Sequence, residues 1–459
     1  MTTTAAPAPQ AGIEELRART AELLSHDAWS RERLLAHQRE RLLATLRHAV
    51  SASPYYRAVL GPDAAAPDLD LQALPTLRKE TLVERFDEIV TDPRLRAADL
   101  EAHLAGPDAE RPYLGAYSVF STSGTCGLRA LVVYDRDDMA AGIAVSLRAM
   151  ARQGIGPATR LVAIGSPDPL HLSRRLFVAF RAGRVGAPEL TVATPLREMV
   201  RALDAYQPEA IAGYPTVAGL LAEEQLEGRL HIAPRTLAFG SEPTTPDILA
   251  RLDAAWGVRP ANVYATTEAP IVAVSSPQDA CLDVAEDLVV VEVVDEAGRP
   301  VPEGTAGAKV LVTNLASRAL PLIRYEIGDA VTLAAGPSPA GRPYRRLESV
   351  EGRAGDVMRL PAQDGGTVAV HPFRLGHPLK AFPEVRRFQL GLADGAIVMD
   401  VVLRPDAARD MPDRLRAAIV RELEDAGAVP PRVAVAPVAS IAREPGPGAK
   451  VKLFRPRRR

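Results

Sequence analysis

Lysine is scarce in this chain. Of 55 basic residues only Lys79, Lys309, Lys380, Lys450 and Lys452 are lysine, and two of these fall in the last ten positions. The excess of arginine accompanies abundant Ala and Pro, so it reads as coding-sequence composition and not as a built basic patch. Cysteine is almost absent: Cys126 and Cys281 are too far apart in sequence for a disulfide framework and too few for a four-thiolate zinc site. No structural zinc is expected, and a reducing, cytoplasmic setting is the default expectation. No apolar run approaches the roughly 18 residues of a membrane helix. The first ten residues, rich in Thr, Ala and Pro, lack the basic start and apolar run of a signal peptide and are expected to be a disordered lead. Neither charge sign dominates, with 55 Lys plus Arg against 57 Asp plus Glu. A net charge of −2 gives no reason to expect a nucleic-acid partner.

What remains is ordinary globular material, 459 residues with 47% hydrophobic and 24% charged side chains, long enough for two or three independently folding units. From Arg31 to Val50 the residues Leu35, Leu42, Leu46 and Val50, widened by Leu34 and Leu43, form the apolar stripe of an amphipathic helix. Helical patterns over Arg136–Gln153, Pro195–Tyr206, Thr216–Glu227 and Pro246–Trp256 are separated by β-rich runs. Those runs lie at Leu131–Tyr134, Arg160–Ile164, Ala210–Ile211, Leu237–Phe239 and Asn262–Tyr264. This alternation predicts βαβ units around a mainly parallel sheet. The runs Asp287–Val294 and Ala308–Thr313, joined by turn-forming residues, predict a more antiparallel β section. Beyond Gly352 come a strand-like stretch over Arg386–Leu403, a helix over Ala407–Ala426 and a strand over Val433–Ala436. The expected fold is therefore α/β: a large N-terminal domain of mixed sheets with a β subdomain over 1–351, and a small mobile α+β domain over 352–459, hinged near Gly355.

Five polar stretches stand out. Ser121 to Arg129 combines hydroxyls with Gly124 and Gly127, a composition that lets backbone N–H groups approach an anion, although it also suits an ordinary turn. It is not a Walker A motif, which would end in Gly-Lys-Ser/Thr. Val263 to Glu268 sets a carboxylate beside a hydroxyl after a strand, fit for Mg²⁺ shared with a nucleotide phosphate, or for a helix start. Leu322 to Asp329 ends in a Gly-Asp pair that suits ribose hydroxyls or a turn. Glu351 to Asp356 and Gly446 to Lys452 complete the series.

The order and spacing say more than any one stretch: a Ser/Thr/Gly loop, Tyr-x-x-Thr-Glu about 140 residues later, Arg-Tyr-x-x-Gly-Asp about 60 further, Gly-Arg-x-x-Asp about 25 beyond, and a terminal Gly-rich loop with lysine. This series resembles the adenylate-forming superfamily. The segments Ser53-Pro54-Tyr55-Tyr56-Arg57, Leu74 to Lys79, Thr313-Asn314-Leu315 and Leu320 to Tyr325 resemble its phenylacetate-CoA ligase branch. The resemblance implies an ATP- and Mg²⁺-dependent ligase that turns a small, aromatic carboxylic acid into an acyl-AMP and passes the acyl group to a thiol, with coenzyme A the first choice. It implies that Thr122, Ser123, Gly124, Thr125 and Gly127 hold the departing phosphates. Gly240, Ser241, Glu242 and Pro243 would line the adenine and acyl pockets, and Tyr264 would stack on the adenine. Thr267 would meet the α-phosphate, Glu268 the Mg²⁺, Asp329 the ribose, and Arg353 the ribose or phosphate. Lys450, with Lys452 as the competing position, would bridge carboxylate and α-phosphate. Acid-pocket walls are expected among Tyr214, Ser241, Ala265, Ala269 and Ile271.

Three departures from the family pattern bear on function. Leu128 stands where the phosphate loop usually has lysine, and Gly355 stands at the hinge. The Gly-rich stretch after the hinge is replaced by Arg359 to Pro372. The last leaves open a different acceptor, such as an amine, a carrier-protein thiol or nitrite, and the first two admit a degenerate module that binds nucleotide without turnover.

Overall fold

A computed structural model describes residues 10–61, 66–122, 130–166, 168, 170–181, 184–242, 244–275, 279–353, 358–363, 365–370, 375, 378–382, 384–393, 395–441 and 454–455. Strands Leu161–Gly165, Leu190–Thr191, Ala210–Gly213, Thr236–Gly240 and Ala261–Tyr264 run parallel, joined through helices Leu172–Arg181, Leu196–Tyr206, Pro215–Leu226 and Pro246–Trp256. Taken in that chain order, they lie side by side as second, first, third, fourth, fifth. The sheet continues antiparallel through Ala273–Ser275, Leu282–Val284, Arg346–Arg353 and Asp329–Leu333, nine strands in all.

The local sequence accounts for these elements. The run Ala-Ile-Ala-Gly over 210–213 is buried throughout, as a parallel strand covered on both faces must be. Pro215 and Pro246 open their helices at a position where the missing N–H costs nothing. Gly257, at φ 65°, ends the helix Pro246–Trp256 in the left-handed conformation. Met199, Leu203, Val217, Leu221, Ile248 and Leu252 from three helices meet Ile211, Leu237 and Phe239 of the sheet in one apolar cluster.

A three-stranded antiparallel sheet of Val289–Val294, Lys309–Asn314 and Tyr325–Ile327 forms the expected β section. A hairpin of Ser118–Ser121 and Leu131–Tyr134 packs beside it. Toward the C-terminus, Val433–Pro437, Ala396–Leu403, Val385–Ala393 and Phe454–Arg455 form a four-stranded sheet. The helix Met411–Asp425 buries Met411, Leu415, Ile419 and Leu423 in a cluster with Ile397, Met399 and Val401 of that sheet. Gly355, taken as the hinge, lies outside the described residues. Among the described residues no helix is long and apolar enough to cross a membrane.

Some expectations are corrected. The strand-like stretch Arg386–Leu403 is a hairpin, reversing at Gly395 with φ 74°. The helix Leu172–Arg181, with Leu172, Leu176 and Phe180 buried at four-residue spacing, was unassigned by the sequence reading. In the helix Arg31–Ala52 the buried stripe is Leu34, Leu42, Thr45, Leu46 and Ala49, while Leu35 is 43% exposed. Leu34, Leu42 and Leu46 are buried as expected, and the face is completed by Thr45 and Ala49 in place of Leu35 and Val50.

Candidate active site

Glycine ends the strands Ala210–Gly213 and Thr236–Gly240 at their carboxyl edge. A Cβ at Gly213, whose φ is 151°, would stand 2.5 Å from the carbonyl oxygen of Ile164; at Gly240 it would stand 2.7 Å from that of Val263. Neither position admits a side chain without moving backbone, so glycine lets neighbouring strands close on each other at the carboxyl edge, where open α/β sheets bind ligands; Gly213 is buried and Gly240 half-buried. Ser241 follows with φ 66°, a left-handed conformation costly for a residue with a Cβ. Glu242 then accepts hydrogen bonds from the Thr216 hydroxyl at 2.7 Å and the Thr216 amide at 3.4 Å. It occupies the amide-rich start of the helix Pro215–Leu226, which has no side-chain cap from Tyr214.

The Tyr-x-x-Thr-Glu stretch does not start a helix. It is a tight turn between the parallel strand Ala261–Tyr264 and the antiparallel strand Ala273–Ser275. Thr266 closes it: its amide donates to the Ala269 carbonyl at 3.0 Å, and its hydroxyl accepts from the Ala269 amide at 2.9 Å. Thr267 and Glu268 occupy the turn between them and stay partly accessible. Tyr134 donates its hydroxyl to the Thr267 carbonyl at 2.7 Å, Asn314 Nδ2 donates to the Glu268 carbonyl at 3.0 Å, and the Tyr325 hydroxyl donates to Glu268 Oε1 at 3.1 Å. Burial, with the charges of Glu268 and Asp138, holds the Tyr134 hydroxyl well above its ordinary pKa, so it remains a donor.

Separate motifs converge here. The Tyr264 hydroxyl donates to Asp329 Oδ2 at 2.8 Å, and Asp329 lies directly opposite Arg353 across paired strands. Gly240 lies opposite Val263, so Ser241 and Glu242 emerge beside Tyr264. Thr122 is paired through its amide with the Ala130 carbonyl at 2.9 Å, and its hydroxyl accepts from the Ala130 amide at 3.0 Å. This double link closes the base of the Ser/Thr/Gly loop. Ser123, Gly124, Thr125, Gly127, Pro243, Lys450 and Lys452 lie outside the described residues, as does Leu128. Of the expected wall positions, Tyr214, Ala269 and Ile271 are buried, whereas Ser241 and Ala265 keep solvent access.

Arg324 is held as structure: it is buried, and its guanidinium grips Glu292 through Nε and Nη2 at 3.0 Å each and donates to the Leu74 and Gln72 carbonyls. The early segments clamp the same strand. The Tyr56 hydroxyl donates to the Pro321 carbonyl at 2.9 Å and accepts from the Ile323 amide at 3.2 Å, while Leu77 and Tyr325 form a parallel bridge. Tyr325, Asn314 and Tyr134 were given no role by sequence; the first two sat inside quoted stretches, and Tyr134 was marked only by ending the strand that leaves the loop.

Among the described residues no group of three or more His, Cys, Asp and Glu is placed to hold a metal. A single carboxylate, Glu268, partly accessible and steadied at one oxygen, suits a cation that arrives on a nucleotide and keeps most of its ligands from phosphate and water. The fold thus defines an α/β protein that gathers Tyr264, Asp329, Glu268 and Tyr325 near the carboxyl edge of its parallel strands.

Residues 36–313 match the family of AMP-binding enzymes, and the chain belongs to that family, on its phenylacetate-coenzyme A ligase-like branch. It is 28% identical to a phenylacetate-coenzyme A ligase of Thermus thermophilus over 371 residues, 77% of each chain. It is 29% identical to one of Pseudomonas putida over 351 residues, 71% of this chain and 72% of that one. Its fold is similar to a crystal structure of 2-hydroxyisobutyryl-CoA ligase in the postadenylation state in complex with R3-HIB-AMP, with TM-score 0.75, 22% identity, and 94% and 91% of the two chains covered.

Proposed function

We propose that the protein is an AMP-forming acid–CoA ligase acting on a small aromatic carboxylic acid. A carboxylate oxygen attacks the α-phosphorus of ATP, and the bond to the β-phosphate oxygen breaks to give acyl-AMP and pyrophosphate. The thiolate of coenzyme A then displaces AMP from the acyl carbon. The observation that carries this reading is the convergence of Tyr264, Asp329, Glu268 and Tyr325 beside the glycine-ended strands.

In this reading Tyr264 and Asp329 receive the nucleoside, Thr267 meets the α-phosphate, and Arg353, opposite Asp329, meets ribose or phosphate. The loop from Thr122 to Gly127 holds the leaving pyrophosphate. Glu268 would hold Mg²⁺, which when bound neutralises triphosphate charge. Lys450 neutralises charge growing between carboxylate and α-phosphate, entering on a C-terminal unit over 352–459 that turns about Gly355. The named relatives make phenylacetate and its ring-substituted forms the first acids to try.

The test is exchange of labelled pyrophosphate into ATP that depends on added acid, followed by product analysis with coenzyme A. Exchange with thioester formation supports the reading, and no exchange across a broad acid panel removes it. Exchange without thioester, with the product formed on an amine, a carrier protein or nitrite, would move the second step to another acceptor.

A further inference from the structure

We propose that Tyr134 is a positioning residue that locks the Thr267–Glu268 turn to the hairpin carrying the Ser/Thr/Gly loop; this deepens the function proposed above and rests on it. Tyr134 is the last residue of the strand Leu131–Tyr134, whose pairing with Ser118–Ser121 forms the hairpin. Its ring meets Phe120 of the opposite strand edge to face, with centroids 5.9 Å apart, so the side chain is fixed to the hairpin itself. The next residue, Asp135, caps the helix Arg136–Arg152 in a reciprocal capping box with Asp138. The strand therefore reaches the turn as a stiff arm. Its far tip is 2% exposed and donates at 2.7 Å to the Thr267 carbonyl.

The adjacent carbonyl of the turn, that of Glu268, is held from elsewhere. Asn314 donates to it at 3.0 Å, and Asn314 is fixed in turn because its Oδ1 accepts from the Ala316 and Ser317 amides at 3.0 and 3.2 Å. Asp138 ties the two supports together, accepting from the Arg318 amide at 2.9 Å. Two successive backbone carbonyls are thus pinned by side chains from two elements, while the Thr267 and Glu268 side chains are the groups assigned to ligand. Through Tyr134 the hairpin strands Ser118–Ser121 and Leu131–Tyr134 and the turn bearing the carboxylate assigned to the cation move as one body. Loss of the link weakens recognition of the metal–nucleotide complex more than that of metal-free nucleotide, because the first calls on both Thr267 and Glu268 and the second on Thr267 alone.

The test compares full-length wild type with Tyr134→Phe, which deletes only the hydroxyl. Calorimetric titration with Mn²⁺–ATP and with ATP in EDTA gives a readout independent of turnover. Pyrophosphate exchange against Mg²⁺ concentration gives the kinetic one. We expect Mn²⁺–ATP to bind roughly fivefold more weakly, the worth of one hydrogen bond, with a smaller loss toward metal-free ATP and the KM for acid unchanged. Half-maximal exchange should need correspondingly more Mg²⁺. Asn314→Ala, acting on the neighbouring carbonyl, should give the same signature, so a misfolding Tyr134→Phe leaves the idea testable. Equal losses toward ATP with and without metal, or unchanged binding of both, would overturn it. If wild type exchanges no pyrophosphate with any acid, the proposed function falls while the titrations still decide the role of Tyr134. A wild type that binds neither form of ATP removes both.

Discussion

Replacing Gly240 by alanine tests whether the close approach of strands at the carboxyl edge sets the site. The new Cβ would lie 2.7 Å from the Val263 carbonyl oxygen and 3.3 Å from Val263 Cβ, both on the strand paired directly with it. The obstructing oxygen is backbone and cannot rotate aside, so relief to an ordinary contact near 3.4 Å requires the strands to part by about 0.7 Å. Crowding of this kind costs about 1–3 kcal/mol. The displaced strand ends in Tyr264 and feeds the Thr266–Ala269 turn. A shift of that size should lower kcat/KM for ATP by roughly tenfold, since 1 Å of misplacement can cost about a hundredfold. Gly156→Ala is the control, because its Cβ meets nothing within 4 Å and its φ is not left-handed; its effect should stay within about 0.5 kcal/mol. Thermal unfolding and pyrophosphate exchange measure the two effects. Should Gly240→Ala melt and exchange like Gly156→Ala, the reasoning from close approach fails.

Four further outcomes are expected. Arg324→Met removes a buried bidentate ion pair and two backbone contacts, leaving Glu292 unpaired; chemical denaturation should show a loss of about 3–5 kcal/mol. Tyr264→Phe deletes the 2.8 Å bond to Asp329 and should weaken nucleotide binding by roughly fivefold in calorimetry, with melting nearly unchanged. Lys450→Ala should slow exchange by roughly 10² while nucleotide still binds, and the same loss in Lys452→Ala alone would transfer the role. Burial, reinforced by Asp135, raises the Asp138 carboxyl to about 7, so between about pH 4 and pH 7 the folded chain keeps a proton that the unfolded chain releases. Its contribution to stability is present below that window and lost as pH rises through it; Asp138→Asn should flatten that fall in denaturation curves taken at pH 4.5 and 7.5.

The helices and parallel strands were legible because their period survives in single segments: Leu131–Tyr134 and Pro246–Trp256 agree with the structure at both ends. The hairpin within Arg386–Leu403 was hidden because both arms are β-rich and only Gly395 marks the reversal. For the site, the resemblance carried by the motif series put Tyr264, Asp329 and Glu268 on one list; Tyr264 bonds Asp329, and Glu268 lies four residues beyond Tyr264 in the turn it feeds. The supports were not legible. Tyr134 looks like any aromatic at the end of an apolar strand, and its distinguishing feature is a bond to a residue 133 positions away. The helix reading of Thr267-Glu268 failed because Thr266 closes its turn onto Ala269, a local bond that competes with a helix start.

The clamp on the strand bearing Tyr325 also fixes when the molecule can finish folding. Tyr56 finds its acceptor at Pro321, 265 residues downstream, and Thr76 its carboxylate at Glu326, 250 residues downstream. At a synthesis rate of about 5–20 residues per second these early segments wait roughly 12–50 s on the ribosome for their counterparts to be made. Throughout that interval Tyr55, Tyr56, Leu74 and Leu77, all buried at the end, lack their final neighbours. These early segments thus lock only after most of the chain is made, and slowed translation between Leu77 and Glu326 would lengthen their exposure to chaperones.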